Sequence, residues 1–84
     1  MTSEEIFTQL SPIITLYLPE DVTKDQIELQ SDLTAQLNIN SAHLVDIVLD
    51  VEDAFDIEFA NEDMEKMRTV ADAIQIIQKK LESK

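Results

Sequence analysis

The sequence predicts an all-α protein, a small four-helix bundle of three longer helices and one short third helix, with a long loop between helices 1 and 2. Apolar residues recur at steps of three and four in three separate stretches, which is the spacing of a helix with one buried face. Residues that cap helices precede the candidate starts, and prolines or left-handed formers follow the candidate ends. The 84 residues suffice for one small domain, expected to span 1–84, and no cysteine is present to staple it. At 44% apolar, the chain is too rich in Leu, Ile, Val and Phe for a disordered acidic tail.

The first helix opens at Glu4 and Glu5, which favour its positive end, with Thr2 or Ser3 as the cap. Ile6, Phe7, Leu10, Ile13, Ile14 and Leu16 to Leu18 form its apolar side. Pro12 removes a backbone donor and crowds the preceding turn, so a kink there, or two shorter pieces meeting there, is expected. Pro19 stops the helix, because a residue before proline is driven toward extended geometry.

From Pro19 to Asn40 the periodicity loosens into a long connection pinned to the core by Val22, Ile27, Leu29, Leu33, Leu37 and Ile39. A turn or two of helix is expected near Lys24 to Leu29 or Asp32 to Gln36. Connections of this length in small domains tend to be functional or mobile.

The second helix, from Ser41 to about Phe55, is the clearest. Leu44, Ile47, Val48, Val51 and Phe55 make its buried stripe, and Asp46, Asp50 and Asp53 lie on the other side. Like charges four apart slightly destabilise a helix, so the aspartates are not there for helix formation. Asp56 marks the exit. Asn61 then caps a short third helix carrying Met64 and Met67, and Thr69 caps the last one, with Val70, Ala73, Ile74, Ile77 and Leu81 on its apolar face. Lys79, Lys80 and Lys84 fall at its negative end. Phe59 and Met67 join the expected core. With no glycine anywhere, left-handed turns fall to Asn38, Asn40 or Asn61, and a glycine-rich phosphate loop is excluded.

Eighteen acidic side chains against six basic ones give a formal charge of -12. Such a chain repels nucleic acid and anionic membranes and attracts basic protein surfaces. No apolar run is long enough to span a bilayer, and the opening MTSEE lacks the regions of a signal peptide, so a cytoplasmic monomer is expected. Ser41 stands at the mouth of the second helix, where unpaired amides and the helix dipole favour a negative group. The same position suits a plain helix cap. His43 has no second ligand or base near it in sequence, which argues against metal binding and against hydrolysis with Ser41, and no metal or catalytic residue is assigned.

From Leu37 onward the chain resembles the acyl carrier protein family. Leu37-Asn38-Ile39-Asn40-Ser41, Val45-Asp46 and Val51 to Glu58 carry the resemblance, which continues through Asn61-Glu62-Asp63, Glu65-Lys66-Met67, Thr69-Val70 and Asp72-Ala73-Ile74. The first forty residues match only as a helix and a loop. The resemblance implies a carrier, not an enzyme, with 4'-phosphopantetheine covalently attached to Ser41 and loads held on its thiol as thioesters. It implies a recognition surface of Asn40, Ala42, Val45, Asp46, Leu49, Asp50, Glu52 and Asp53, and an acyl pocket lined by Val51, Phe59, Met67 and Ala73. The implied partners are a phosphopantetheinyl transferase, an acyl-loading enzyme, a ketosynthase and other biosynthetic enzymes with basic docking surfaces.

Three positions depart from the family pattern: Asn40 where aspartate is usual, Ala42 where a larger apolar residue follows the serine, and Asn38 where glycine is common. These departures favour acyl or polyketide/polyene loads in a specialised pathway over a housekeeping fatty-acid carrier or an amino-acyl carrier. Asn40 also keeps open an unmodified acidic binding module with the same fold.

Overall fold

The computed structural model describes residues 2–83. In chain order it contains α1 (Ser3–Thr15), a single 3-10 turn (Lys24–Gln26), α2 (Ser41–Phe55), the short α3 (Asn61–Lys66) and α4 (Val70–Glu82). Helix α1 packs against both α2 and α4.

Helix α1 starts with a complete capping box. The Thr2 hydroxyl accepts from the Glu5 amide at 3.2 Å, and the Glu5 carboxylate accepts from the Thr2 amide at 3.1 Å. The Thr2 amide and, after it, the Thr2 hydroxyl, both donating to the Glu5 carboxylate, hold that carboxyl below its ordinary range. Ile6, Leu10 and Ile14 are buried at steps of four. Pro12 neither breaks the helix nor divides it, because the proline and Thr8, whose carbonyl loses its amide donor, are both exposed to water. Neighbouring hydroxyls also return to the ladder: Ser11 donates to the Phe7 carbonyl at 2.9 Å, and Thr15 to that of Ser11 at 2.8 Å. The helix ends before Pro19, at Thr15, and the amides of Leu16, Tyr17 and Leu18 turn back onto the carbonyls of Ile13, Ile14 and Thr15.

The long loop is fastened along its length. Val22, Ile27, Leu33, Leu37 and Ile39 are buried, Leu37 completely. Leu29 is the exception at 49% exposed, though its carbonyl is used. It accepts from the Ala71 amide at 2.8 Å, while the Ser31 carbonyl accepts from Val70 at 3.1 Å. The Thr69 hydroxyl accepts from Asp72 at 3.1 Å, so the first three amides of α4 are satisfied by its cap and the loop together. Leu33 adds a 2.9 Å bond to the Arg68 carbonyl beside an isolated antiparallel bridge between Asp32 and Thr69. The turn at Asp32 is not a helix. It is built on one carboxylate that accepts from the amides of Thr34 and Ala35 at 2.9 and 2.8 Å. Those amides hold the Asp32 carboxyl below its usual range.

Among the described residues two take positive φ, Asn38 at 54° and Asp56 at 56°. Asn38 was an expected candidate; Asn40 is extended and Asn61 is already helical. Asp56 closes α2 in the left-handed conformation, with its amide on the Glu52 carbonyl. Helix α3 is capped at Ala60 instead of Asn61. An alanine has no side-chain acceptor, so only the Asp63 carboxylate contributes, accepting from the Ala60 amide at 2.8 Å.

One cluster of buried side chains draws on α1, the loop, α2 and α4, together with Ile57 and Met67 flanking α3. Leu44 and Phe59, both expected to be fully buried, are half-buried against it. Leu44 lies one turn into α2, and Phe59 in the exposed connection to α3, where neighbours cover only one side. No helix of the described residues is long and apolar enough to cross a membrane. Lys79 and Lys80 lie in the last turn of α4 as expected, and Lys84 falls outside the described residues.

Candidate functional site

The start of α2 resolves which side chain does the capping. Asn40 is the N-cap, extended at φ -77° and ψ 169°, and its Oδ1 accepts from the His43 amide at 2.8 Å. Its carbonyl accepts from Leu44 at 2.9 Å. Ser41 is therefore the first residue inside the helix, exposed, with a hydroxyl that has no partner among the described residues. The Ser41 and Ala42 amides belong to the first turn and have no carbonyl one turn back to reach. No acidic residue occupies that turn, and the cap itself is neutral. In a chain of charge -12, the first turn of α2 holds no carboxylate to compensate its dipole.

Such a place fits a phosphate ester. An exposed primary hydroxyl offers the oxygen, nothing around it must be displaced, and two unpaired amides with the helix dipole favour the negative charge.

Downstream along α2, Asp46 and Asp53 are exposed, and Val45 and Leu49 expose 43% and 55% of their surface. An exposed apolar pair flanked by carboxylates can meet a partner surface that combines basic and apolar side chains. Ala42 is also exposed. Two acidic residues have internal partners. Asp50 is half-buried and accepts from the Tyr17 hydroxyl at 2.6 Å, and Glu52 accepts from the Phe59 amide at 2.7 Å. Sequence spacing sets Asp50 in one file with Asp46 and Asp53, but the tail of α1 passes close enough to claim it.

Tyr17 carries no local signal of this role. Its ring lies 5.8 Å from that of His43 at 48°, and its hydroxyl reaches Asp50, so it lies along about two turns of α2. The carboxylate that accepts its proton, partial burial, and the charges of Asp50 and Asp46 push the phenol up to about 12. The ring contact supplies His43 with a neighbour but no ligand. Among the described residues no group of three or more His, Cys, Asp or Glu is arranged to hold a metal.

Of the four nominated pocket residues, Val51, Met67 and Ala73 are buried in the common cluster, and Phe59 is half-buried. A cleft of about 480 Å³ between α3 and α4, with Ile76 and Lys80 in its wall, and one of about 540 Å³ between α1 and the loop, beside Pro12 and Ile27, are lined by other residues. Sequence reasoning also missed the ties around α3. Lys80 Nζ lies 2.8 Å from Asp63 Oδ2 and 5.8 Å from the centre of the Phe59 ring.

No family model matches the chain. Individual proteins do. The acyl carrier protein of Coprothermobacter proteolyticus is 38% identical over 86 residues, covering 100% of this chain and 100% of that protein. That of Thermotoga maritima is 37% identical over 78 residues, covering 93% and 94%. Among solved structures, one described for the novel structural components that contribute to the high thermal stability of the acyl carrier protein from Enterococcus faecalis is 34% identical. It has a TM-score of 0.77 and covers 95% of this chain and 99% of its own.

Proposed function

The chain belongs to the acyl carrier protein family, carriers rather than enzymes, and we propose that Ser41 is its attachment residue for 4'-phosphopantetheine. The observation that carries this reading is the division of labour at the head of α2. Asn40 satisfies the amide that a capping serine would satisfy, so the Ser41 hydroxyl is exposed and uncommitted. When attached, the group supplies a terminal thiol on which an acyl load is held as a thioester. The protein's own contribution is to present the ester oxygen at a helix mouth whose first turn holds no carboxylate.

Exposed Val45, Asp46, Leu49 and Asp53 make the docking face, continuous along α2 with Ser41 and Ala42. Asn40, Asp50 and Glu52 border it while also holding the local structure. The partners are enzymes with basic surfaces: the phosphopantetheinyl transferase, the loading enzyme, and a ketosynthase or similar enzyme that extends the load. Charges at the edge of such a face chiefly raise encounter rate and set orientation, which suits a carrier that must leave each enzyme it visits. We assign acyl or polyketide/polyene intermediates as the loads and Val51, Phe59, Met67 and Ala73 as the residues that part around them. One domain spanning 1–84 performs the task, in the cytoplasm.

Intact mass of the chain co-expressed with a broad-specificity pantetheinyl transferase tests the assignment. A mass increase equal to phosphopantetheine, absent in Ser41→Ala, is the expected result. A wild-type chain left wholly unmodified overturns it.

A further inference from the structure

Every longer helix of the described residues buries side chains in the common core, whereas α3 buries none. Its six residues are also far too few for a helix to persist unaided. What holds α3 in place must come from its flanks and from a few side chains. At the near flank the Phe59 amide is tied to the Glu52 carboxylate at 2.7 Å, and at the far flank Met67 is buried. Between them Phe59 and Met64 only half-bury themselves against the core.

One group reaches across this interval from another helix. Lys80 of α4 places its ammonium 2.8 Å from the Asp63 carboxylate, and the same ammonium lies over the Phe59 ring at 5.8 Å, within range of a cation–π contact. Asp63 in turn fixes the first turn of α3 by accepting from the Ala60 amide at 2.8 Å. The ammonium thus engages the segment before α3 and the body of α3 at once.

We propose that Lys80 is an electrostatic latch on α3: the helix opens from the bundle as a unit, and the Lys80–Asp63 pair with its contact to Phe59 sets how often it does. The pair is partly exposed, with side-chain exposures of 27% and 23%. Ion pairs of that kind are weak and screened by salt, so the latch yields without disturbing helices held by apolar burial. Local openings of segments with little buried surface are the least costly motions a folded chain has. On the carrier reading given above, opening α3 lays bare the flank of the core where Phe59 and Met67 lie, and the latch regulates how readily a load enters there.

Hydrogen exchange of the full chain carrying Ser41→Ala tests the latch independently of any modification. Lys80→Met keeps the apolar stem and removes the charge. At low salt it should speed exchange of the amides of residues 63–67 roughly two- to five-fold, with α1, α2 and the first two turns of α4 unchanged. High salt should produce the same acceleration in the chain that retains Lys80 and add little in Lys80→Met, and Lys80→Arg should keep exchange slow. Unaltered rates over residues 63–67 in Lys80→Met at low salt overturn the proposal, as does equal acceleration in every helix. Either outcome leaves the assignment of Ser41 standing, because that rests on a mass and not on an opening rate.

Discussion

The Tyr17 hydroxyl donates a 2.6 Å hydrogen bond to the carboxylate of Asp50, 33 residues away, and so ties the turn that follows the first helix to the second helix. The contact takes one acid of the α2 face out of free solution and carries an aromatic ring across to His43, two residues beyond Ser41.

Tyr17 is the only tyrosine and there is no tryptophan, so alkaline difference absorbance reports this bond alone. The phenol should ionise near pH 12 instead of the ordinary 10.0. Asp50→Asn should bring the midpoint back toward 10.0, since the largest cause of the shift is the carboxylate. The sign for stability follows from linkage. A group whose folded value is raised contributes fully below its unfolded value, and the contribution is lost as pH climbs from about 10 through about 12. Urea unfolding should therefore show wild type converging on Tyr17→Phe over that interval.

Capping at α2 separates Asn40 from Ser41. Asn40→Ala removes the acceptor for the His43 amide and should cost about 1 kcal/mol by urea denaturation. Asn40→Asp should keep the cap. Ser41→Ala should stay within about 0.5 kcal/mol of wild type, because the hydroxyl holds nothing. A loss at Ser41 as large as that at Asn40 contradicts the geometry.

The loop should behave as core where it is buried. Leu37, with 0% exposure, should cost about 2 to 5 kcal/mol when truncated to alanine, a large share of what a chain this size possesses. Leu29, at 49%, should cost no more than about 0.5 kcal/mol. Parallel thermal melts distinguish the two.

Acid titration should find, besides Glu5, two depressed aspartates with separable causes. Lys80 is the largest influence on Asp63, followed by the Ala60 amide, whereas the Ala35 amide leads for Asp32. Followed by carboxyl carbon resonances, both should titrate below the ordinary 3.8. Lys80→Met should raise Asp63 and leave Asp32 in place. Depressed carboxyls stabilise the fold above their unfolded values, so these contributions disappear as pH falls below 3.8 through the lowered values.

Docking should depend on the exposed acids more than on the engaged ones. Against a basic partner enzyme, Asp46→Asn and Asp53→Asn should each lower the association rate about two- to five-fold at low salt, with the difference shrinking as salt rises. Leu49→Ala should act mainly on dissociation, because its exposed side chain offers contact area and no long-range attraction. Rapid-mixing fluorescence measures both rates.

Much of this architecture is legible in the chain because the signals are local. The steps of three and four that place Ile6, Leu10 and Ile14, or Val70, Ala73, Ile74 and Ile77, on one face are properties of helical geometry within a few turns. Thr69 is read as a cap for the same reason, as is Thr2 with Ser3 as its alternative, and Asp56 as an exit. At Pro12 the local rule leaves a kink and a break as alternatives, and the helix stays unbroken there because water reaches the orphaned carbonyl, which periodicity does not report. Ala60 defeats it because Asp63 does the capping from within the helix.

At the candidate site, the position of Ser41 at the head of α2 is a matter of sequence alone, as are the acids behind it and the net charge that tells what they attract. The structure decides the rest: locally, that Asn40 and not Ser41 is the cap, and between segments, that Tyr17 engages Asp50, that Glu52 holds Phe59, and that Lys80 reaches Asp63. Helix periodicity fixes which residues share a face, but a hydrogen bond or ion pair between segments depends on how helices are brought together. That distance is set by the packing of the whole core and is written in no single stretch of the chain.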